Sequence, residues 1–353
     1  MPAPHVIIVR PWSAGGRRHG GWRRSRQIEE LLAAAGRAFD VGTTVPAATV
    51  DLRGLPHLLR AGPRAWNRAT FLDAISRSRL LHADIGNGRP ALVEMPHNRV
   101  IERLTAARCP VRIALPQNIE AFNEAARRSW WPRDRGGSAA DEMRVLGRYD
   151  AVFTIAVEEC WLLANAGIEA HFLPYSPPQE TAEWLHGLRS IRLSRAPDDT
   201  DEVVVLGTAQ ARHADATVKL VHVLQSAGLR PVVVGYGTAA LRSRIGEQAT
   251  LRGELSADDL QTLLARCRAV AIFQAGGGGA LTRIVELGHA GVPVVAAGVA
   301  GRSMYGWQHL TWVHDVGAIP DALPAPGATI SAVDPWEAQR QASTQRLLAW
   351  LAG

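Results

Sequence analysis

The sequence predicts an α/β protein built from two Rossmann-like domains, and three observations predict it. Its 353 residues exceed what one ordinary core holds and suit two. Short apolar runs alternate with amphipathic stretches, the pattern of parallel β-α-β units. That alternation breaks once, around residues 174–201, and then starts again.

In the first series, residues 6–9 (VIIV) read as a strand. A Gly/Arg-rich loop follows over 14–24, then a helix over 25–35 with Ser25 as its N-cap. Residues 91–94, 111–115 and 151–155 are further strands. A helix over 157–166 ends at Gly167. Pro174, Pro177, Pro178 and Pro197, then the acidic run Asp198, Asp199, Asp201 and Glu202, mark a linker. In the second series, a strand over 203–206 ends in Gly207, a helix covers 217–227, and a strand over 231–234 ends in Gly235. Ser256 caps a helix over 257–267, with Asp258 and Asp259 at the positive end of its dipole. A strand over 270–273, a four-glycine loop, a helix running through His289 and a strand over 293–296 complete the series. A long amphipathic helix over 335–351 closes the chain. The expected organisation is therefore a first domain over 1–178, a linker over 179–202, a second domain over 203–334 and a terminal helix over 335–353. No repeat with a period of 20–50 residues is visible.

Composition excludes several classes. Hydrophobic residues make up 47% and charged residues 20%, as in ordinary globular proteins. No apolar run approaches the roughly 18 residues that span a bilayer. The apolar run near the N-terminus is only about four residues, too short for a signal-peptide core. A cytoplasmic location follows as the expectation. Cys109, Cys160 and Cys267 are far apart and lack metal-ligand spacing, which argues against a disulfide frame or a zinc site. The net charge is +6, and the excess lies in the first half: 24 basic against 18 acidic residues over 1–180, 15 against 15 in the rest. A basic half suits an acidic partner, such as a phosphorylated or lipid-linked acceptor or the inner face of a membrane, where the protein would sit peripherally. A solvated arginine-rich face fits the same numbers. Arginine content alone does not make a nucleic-acid binder, and none is expected.

The most informative segment is QAGGGGALTRIVE, residues 274–286. Consecutive glycines remove every Cβ, so the backbone can approach a diphosphate closely. The N–H groups opening the next helix then face the anion, helped by the helix dipole. Arg283 can pair with phosphate oxygens, and Glu286, three residues on, can accept from ribose hydroxyls. A glycine loop with a surface Arg–Glu pair is the plainer alternative. The strand before the loop and the Gly291-Val292-Pro293-Val294-Val295 run after it favour the ligand.

These motifs resemble the donor domain of the family 4-type glycosyltransferases, which have the two-domain GT-B architecture. Arg283, Glu286 and Gly291-Val292-Pro293-Val294-Val295 match the family's order. Val203-Val204-Val205-Leu206-Gly207-Thr208 and Val232-Val233-Val234-Gly235-Tyr236-Gly237 resemble its first two strand–glycine turns, and Leu251-Arg252-Gly253-Glu254-Leu255 its next segment. The resemblance covers roughly residues 203–306. It implies two domains facing across a cleft, with the terminal helix crossing back onto the first. It also implies sugar transfer from a UDP- or GDP-sugar to a hydroxyl acceptor, with retention of configuration and no obligatory metal or other cofactor. The implied donor-binding residues are Gly207, Thr208, Arg212, Gly235, Gly277, Gly278, Gly279, Arg283 and Glu286. Gly278 stands where many relatives carry a second glutamate.

The first half resembles the family's acceptor domain more loosely. In Leu115-Pro116-Gln117-Asn118-Ile119-Glu120, Gln117 stands where many relatives have a histidine; it can bind a sugar hydroxyl but cannot act as a base. Gln117, Asn118 and His97 are the candidates for catalytic roles, although a lone histidine such as His97 is more often a surface residue. Gly15, Gly16, Arg17 and Arg24, from the loop after the first strand, are the candidate acceptor-binding residues; a solvated loop is the alternative. Two further activities stay open at this point: a sugar-nucleotide epimerase or hydrolase on the same architecture, and a non-catalytic binding or scaffold protein with a degenerate site.

Overall fold

The computed structural model describes residues 5–10, 20–43, 88–94, 96, 99–119, 121, 139–194, 202–208, 211–304, 306–328, 330 and 334–352. The chain divides into two compact units, Met1–Pro178 with Trp336–Gly353, and Gln179–Pro335.

In the first unit six parallel strands form one sheet: β1 (Val6–Arg10), β2 (Phe39–Thr43), β3 (Ala91–Val93), β4 (Arg112–Ala114), β5 (Ala151–Thr154) and β6 (Ala170–Phe172). Their order is β2-β1-β3-β4-β5-β6. Every residue of β1 is buried, because a parallel sheet is covered on both faces and its strands read as continuous apolar runs. The two-residue period then sorts side chains between faces. Val6, Ile8, Leu92, Ile113 and Phe153 join one cluster. Ile7, Val9, Ala91, Val93, Ala114 and Val152 join another. Helix α1 (Gly20–Ala34) covers the first face through Ile28 and Leu32. The second is covered by α2 (Arg99–Arg108), α3 (Ala139–Leu146) and α4 (Val157–Asn165), through Ile101, Val145, Leu146 and Leu163.

The helix expected over 25–35 already includes Gly20, so Ser25 is an interior residue and not an N-cap. Its Oγ lies 3.2 Å from Gly21 O, one turn back, within reach of the back-bond a helical serine can make. Gly167, at φ 75°, closes α4 as its left-handed terminator.

The second unit opens with α5 (Gln179–Ser194), a helix where the prolines and acidic run suggested a linker. Pro174, Pro177 and Pro178 precede it and Pro197 follows it. Its buried Leu185 and Leu188 hold it in the unit, and Arg192 Nη1 donates to Cys267 O at 3.2 Å. Then follow β7 (Glu202–Leu206), α6 (Ala211–Ser226), β8 (Arg230–Val234), β9 (Thr250–Gly253), α7 (Ala257–Arg266), β10 (Ala269–Gln274), α8 (Thr282–His289), β11 (Val294–Gly298) and β12 (Leu310–Val313). The six strands are parallel, in the order β12-β11-β10-β7-β8-β9. Val203, Val205, Val233, Ala271 and Val295 pack beneath Val218, Val221 and Leu224 of α6. Ser256 caps α7, its Oγ accepting from Asp259 N at 3.1 Å.

The last helix, α9 (Glu337–Trp350), belongs to the first unit. Leu347 and Leu351 are buried with Val6, Ile8 and Phe153. Ser343 Oγ donates to Phe172 O at 2.6 Å.

Candidate functional site

In the second unit the chain runs from β7 outward through β8 and β9, then returns to β10 on the other side of β7 and continues outward to β12. The order reverses between β7 and β10, and open parallel sheets bind ligands at the carboxyl ends of the strands at such a point. The ends of these strands are Gly207-Thr208 after β7 and the glycine loop after β10. The loop leads directly into α8.

Arg283 lies in the first turn of α8 and reaches across the switch point. Its Nη1 donates to Leu206 O, the last carbonyl of β7, at 3.0 Å. A guanidinium carries five N–H donors, so most of its donor capacity lies beyond this bond. Burial lowers the Arg283 pKa and the nearby Glu286 carboxylate opposes that fall. Glu286 is itself buried on the same helix. An anion at this position would add to the counter-charge that Glu286 supplies.

Backbone geometry explains two kinds of glycine here. Gly277 sits at φ 134°, and a Cβ there would come within 2.5 Å of Gln274 Nε2; its carbonyl accepts from Arg302 Nη1 at 2.9 Å. Gly278 and Gly279 continue the loop, half-buried. Gly207 and Gly235 serve packing: a Cβ on Gly235 would lie 2.0 Å from Gly207 O, and one on Gly207 would lie 2.6 Å from Thr217 Cγ2. They let the ends of β7 and β8 and the start of α6 approach closely. Thr208 Oγ1 lies 3.4 Å from Tyr236 O. Arg212 is in the first turn of α6, and its side chain lies outside the described residues.

Sequence reasoning missed the support beneath α8. His309 is buried, and its Nε2 lies 2.8 Å from Ile284 O. Burial pushes its pKa down to about 4, so the ring is neutral at physiological pH and donates from Nε2 to that carbonyl. Gly288 makes room: a Cβ there would fall 2.4 Å from His309 Cε1. Gly288, in the last turn of α8, was the available signal.

In the first unit Gln117 and Asn118 follow β4. Glu159 Oε1 accepts from Ile119 N at 3.1 Å, and Glu142 Oε2 from Ala121 N at 2.7 Å, so two buried carboxylates anchor this segment. His97, Gly15, Gly16 and Arg17 lie outside the described residues. Arg24 is not a loop residue. It is buried within α1, its Nη1 bonded to Gln27 Oε1 at 2.5 Å and to Pro174 O at 3.4 Å. Beside it are polar groups the sequence did not single out. Arg10 ends β1 and pairs with Glu29, which also pairs with Arg26. Glu94 follows β3 and accepts from Ser25 Oγ at 2.5 Å.

Cys109, Cys160 and Cys267 are buried free thiols. Among the described residues no group of three His, Cys, Asp or Glu side chains is placed to hold a metal. No described helix is long and apolar enough to cross a membrane.

No family model matches the sequence, and no curated protein does. Solved structures do. Sucrose-phosphate synthase from Thermosynechococcus elongatus superposes with a TM-score of 0.63 at 16% identity, over 98% of this chain and 99% of that one. The trehalose 6-phosphate synthase of Burkholderia multivorans gives 0.55 at 12%, over 99% and 93%. Anabaena HepE, crystallised with UDP and glucose, gives 0.54 at 12%, over 99% and 93%. The chain has the GT-B fold, as its sequence motifs led one to expect.

Proposed function

We propose that this chain is a glycosyltransferase that moves a sugar from a nucleoside diphosphate donor to a hydroxyl acceptor. The observation that carries the reading is Arg283, half-buried at the β7/β10 switch point beside the glycine loop and bonded to the end of β7. The sequence resemblance and the fold support it independently, and HepE's complex with UDP-glucose makes that donor the first to test.

In this reading the diphosphate rests against the loop after β10 and the amino end of α8. The C1–O bond to the diphosphate breaks and the acceptor oxygen takes its place on C1. Negative charge grows on the departing diphosphate, and Arg283 with the loop N–H groups stabilises it where it develops. Glu286 accepts from the donor's ribose hydroxyls. Gln117 and Asn118 orient acceptor hydroxyls without taking a proton, so the acceptor's proton passes to the departing diphosphate. Configuration at C1 is retained, and no metal is obligatory because Arg283 and the amides supply the positive potential.

Thermal shift with UDP-glucose and a panel of UDP- and GDP-sugars tests the donor site. One of them raises the melting temperature, and Arg283→Ala weakens its binding roughly 10- to 100-fold, the loss of charged hydrogen bonds worth about 1.5–3 kcal/mol. Acceptor-dependent release of nucleoside diphosphate tests transfer. Release without acceptor indicates a hydrolase, and binding without release a non-catalytic protein. If no sugar nucleotide shifts the wild type, the donor assignment is wrong.

A further inference from the structure

The first sheet has a switch point of its own. Among the described strands, β1 is flanked by β2 on one side and β3 on the other, so the order reverses between β1 and β3. Register places Val9 beside Val93, and Val93 beside Ala114. Arg10 and Glu94 therefore stand level at the carboxyl ends of neighbouring strands, and Gln117 follows the end of the next.

Among the described residues, Arg10 Nε, Arg24 Nη2, Glu94 Oε1 and Gln117 Nε2 are buried polar atoms without a hydrogen-bond partner. Arg10 is 5% exposed, and Arg24 and Glu94 are each 3% exposed. Buried polar atoms are nearly always satisfied, and leaving charged ones unmade is costly. Arg10 and Glu94 end neighbouring strands, Ser25 next to Arg24 bonds Glu94, and Gln117 follows the next strand, so these unmet atoms lie toward one end of the sheet and suit a partner from outside the chain. The charges say which kind. Two buried guanidinium groups act on Glu94, Arg10 from the end of β1 and Arg24 from α1, and the Glu29 carboxylate beside Arg10 is also claimed by Arg26. The two partners of Arg24 are neutral, the Gln27 amide and the Pro174 carbonyl. Glu94 offsets only part of this charge, because burial raises its pKa to about 7. Positive charge is left over.

We propose that Arg10, Arg24 and Glu94 form a binding site for a phosphate monoester carried by the acceptor, at the β1/β3 switch point. That the phosphate-bearing molecule is the acceptor rests on the glycosyl-transfer reading; the phosphate site itself does not. Arg24 Nη2 and Arg10 Nε donate to the phosphate oxygens, as guanidinium groups do in anion recognition. Glu94 in its protonated form donates from Oε1. Gln117 Nε2, one strand further on, donates to a hydroxyl.

Calorimetric titration of the intact chain at fixed ionic strength tests this with four probes: inorganic phosphate, glucose 6-phosphate, geranyl phosphate and glucose. At least one phosphate binds and glucose does not. A preference for glucose 6-phosphate points to a sugar phosphate, and a preference for geranyl phosphate to a lipid-linked one. Arg24→Gln weakens the phosphate probe at least tenfold, and Arg24→Lys, which keeps the charge but loses the fork, does so less. The UDP-glucose thermal shift serves as the folding control and is unchanged in both. If no phosphate binds the wild type, or Arg24→Gln binds as the wild type does, the proposal is overturned. Phosphate binding without any sugar-nucleotide shift would overturn the transferase reading alone.

Discussion

Glu94 and His309 carry opposite pH dependences, one in each unit. Burial raises the Glu94 carboxyl to about 7, assisted by Glu29, against the pull of Ser25, Arg10 and Arg24. The folded chain thus holds this proton more tightly than the unfolded chain, whose glutamate titrates near 4.3. Its stabilisation is full below the unfolded value and is lost as pH rises through 7, a change on the order of 3 kcal/mol. His309 is shifted the other way, down to about 4, by burial and by His289, with the Ile284 carbonyl opposing. Its contribution is present above about 6.5 and is lost as pH falls toward 4, again on the order of 3 kcal/mol. Urea unfolding at pH 5 and pH 7.5 separates them. The stability of wild type relative to Glu94→Gln falls as pH rises, and that relative to His309→Gln falls as pH drops. A wild-type minus Glu94→Gln difference that stays flat between those pH values would show that the carboxyl is not held protonated.

At the scale of elements, two helical glycines should respond in opposite directions. Gly187 lies inside α5, and the nearest atom to an added Cβ is Gln261 Nε2 at 3.5 Å, ordinary contact. Gly187→Ala should stabilise the second unit by up to about 1 kcal/mol, the helix-propensity gain. Gly288→Ala forces a methyl into the His309 ring and should cost roughly 1–3 kcal/mol, the range for overpacking. Because His309 holds Ile284 O, one residue from Arg283, the same substitution should weaken sugar-nucleotide binding. Melting curves with and without UDP-glucose read both effects, and a Gly288→Ala protein as stable as wild type would remove His309 as the support of α8. The same elements show what the sequence could say. Residues 203–206 and 270–273 were legible because a doubly covered parallel strand is apolar throughout. The loop before α8 made Arg283 conspicuous. By contrast, α5 hid behind the prolines before it, and β6 is only three residues, Ala170–Phe172. Arg10 and Glu94 were invisible for another reason. Each is a lone charge after an apolar run, and only the pairing of β1 with β3 brings them together.

At the scale of the whole chain, the first unit is made of two sequence segments and the second of one, and the terminal helix exposes that difference. Removing residues 336–353 strips Leu347 and Leu351 from the cluster around Val6, Ile8 and Phe153. It also removes the Ser343 bond to Phe172 O and the edge-on contact of Trp336 with the Phe172 ring at 5.1 Å. Two buried leucines contribute about 1.5–3 kcal/mol each and the hydrogen bond about 1, so the loss is roughly 5 kcal/mol. That is comparable with the entire stability of many domains, about 5–15 kcal/mol. The second unit loses nothing from its own core, whose cluster runs from Val203 to Leu323. Calorimetry of the chain ending at Pro335 should therefore show the first unit's transition lowered or gone and the second's in place. On the proposed function, UDP-glucose should still raise the surviving transition. If both transitions vanish together, the second unit does not fold independently of the first.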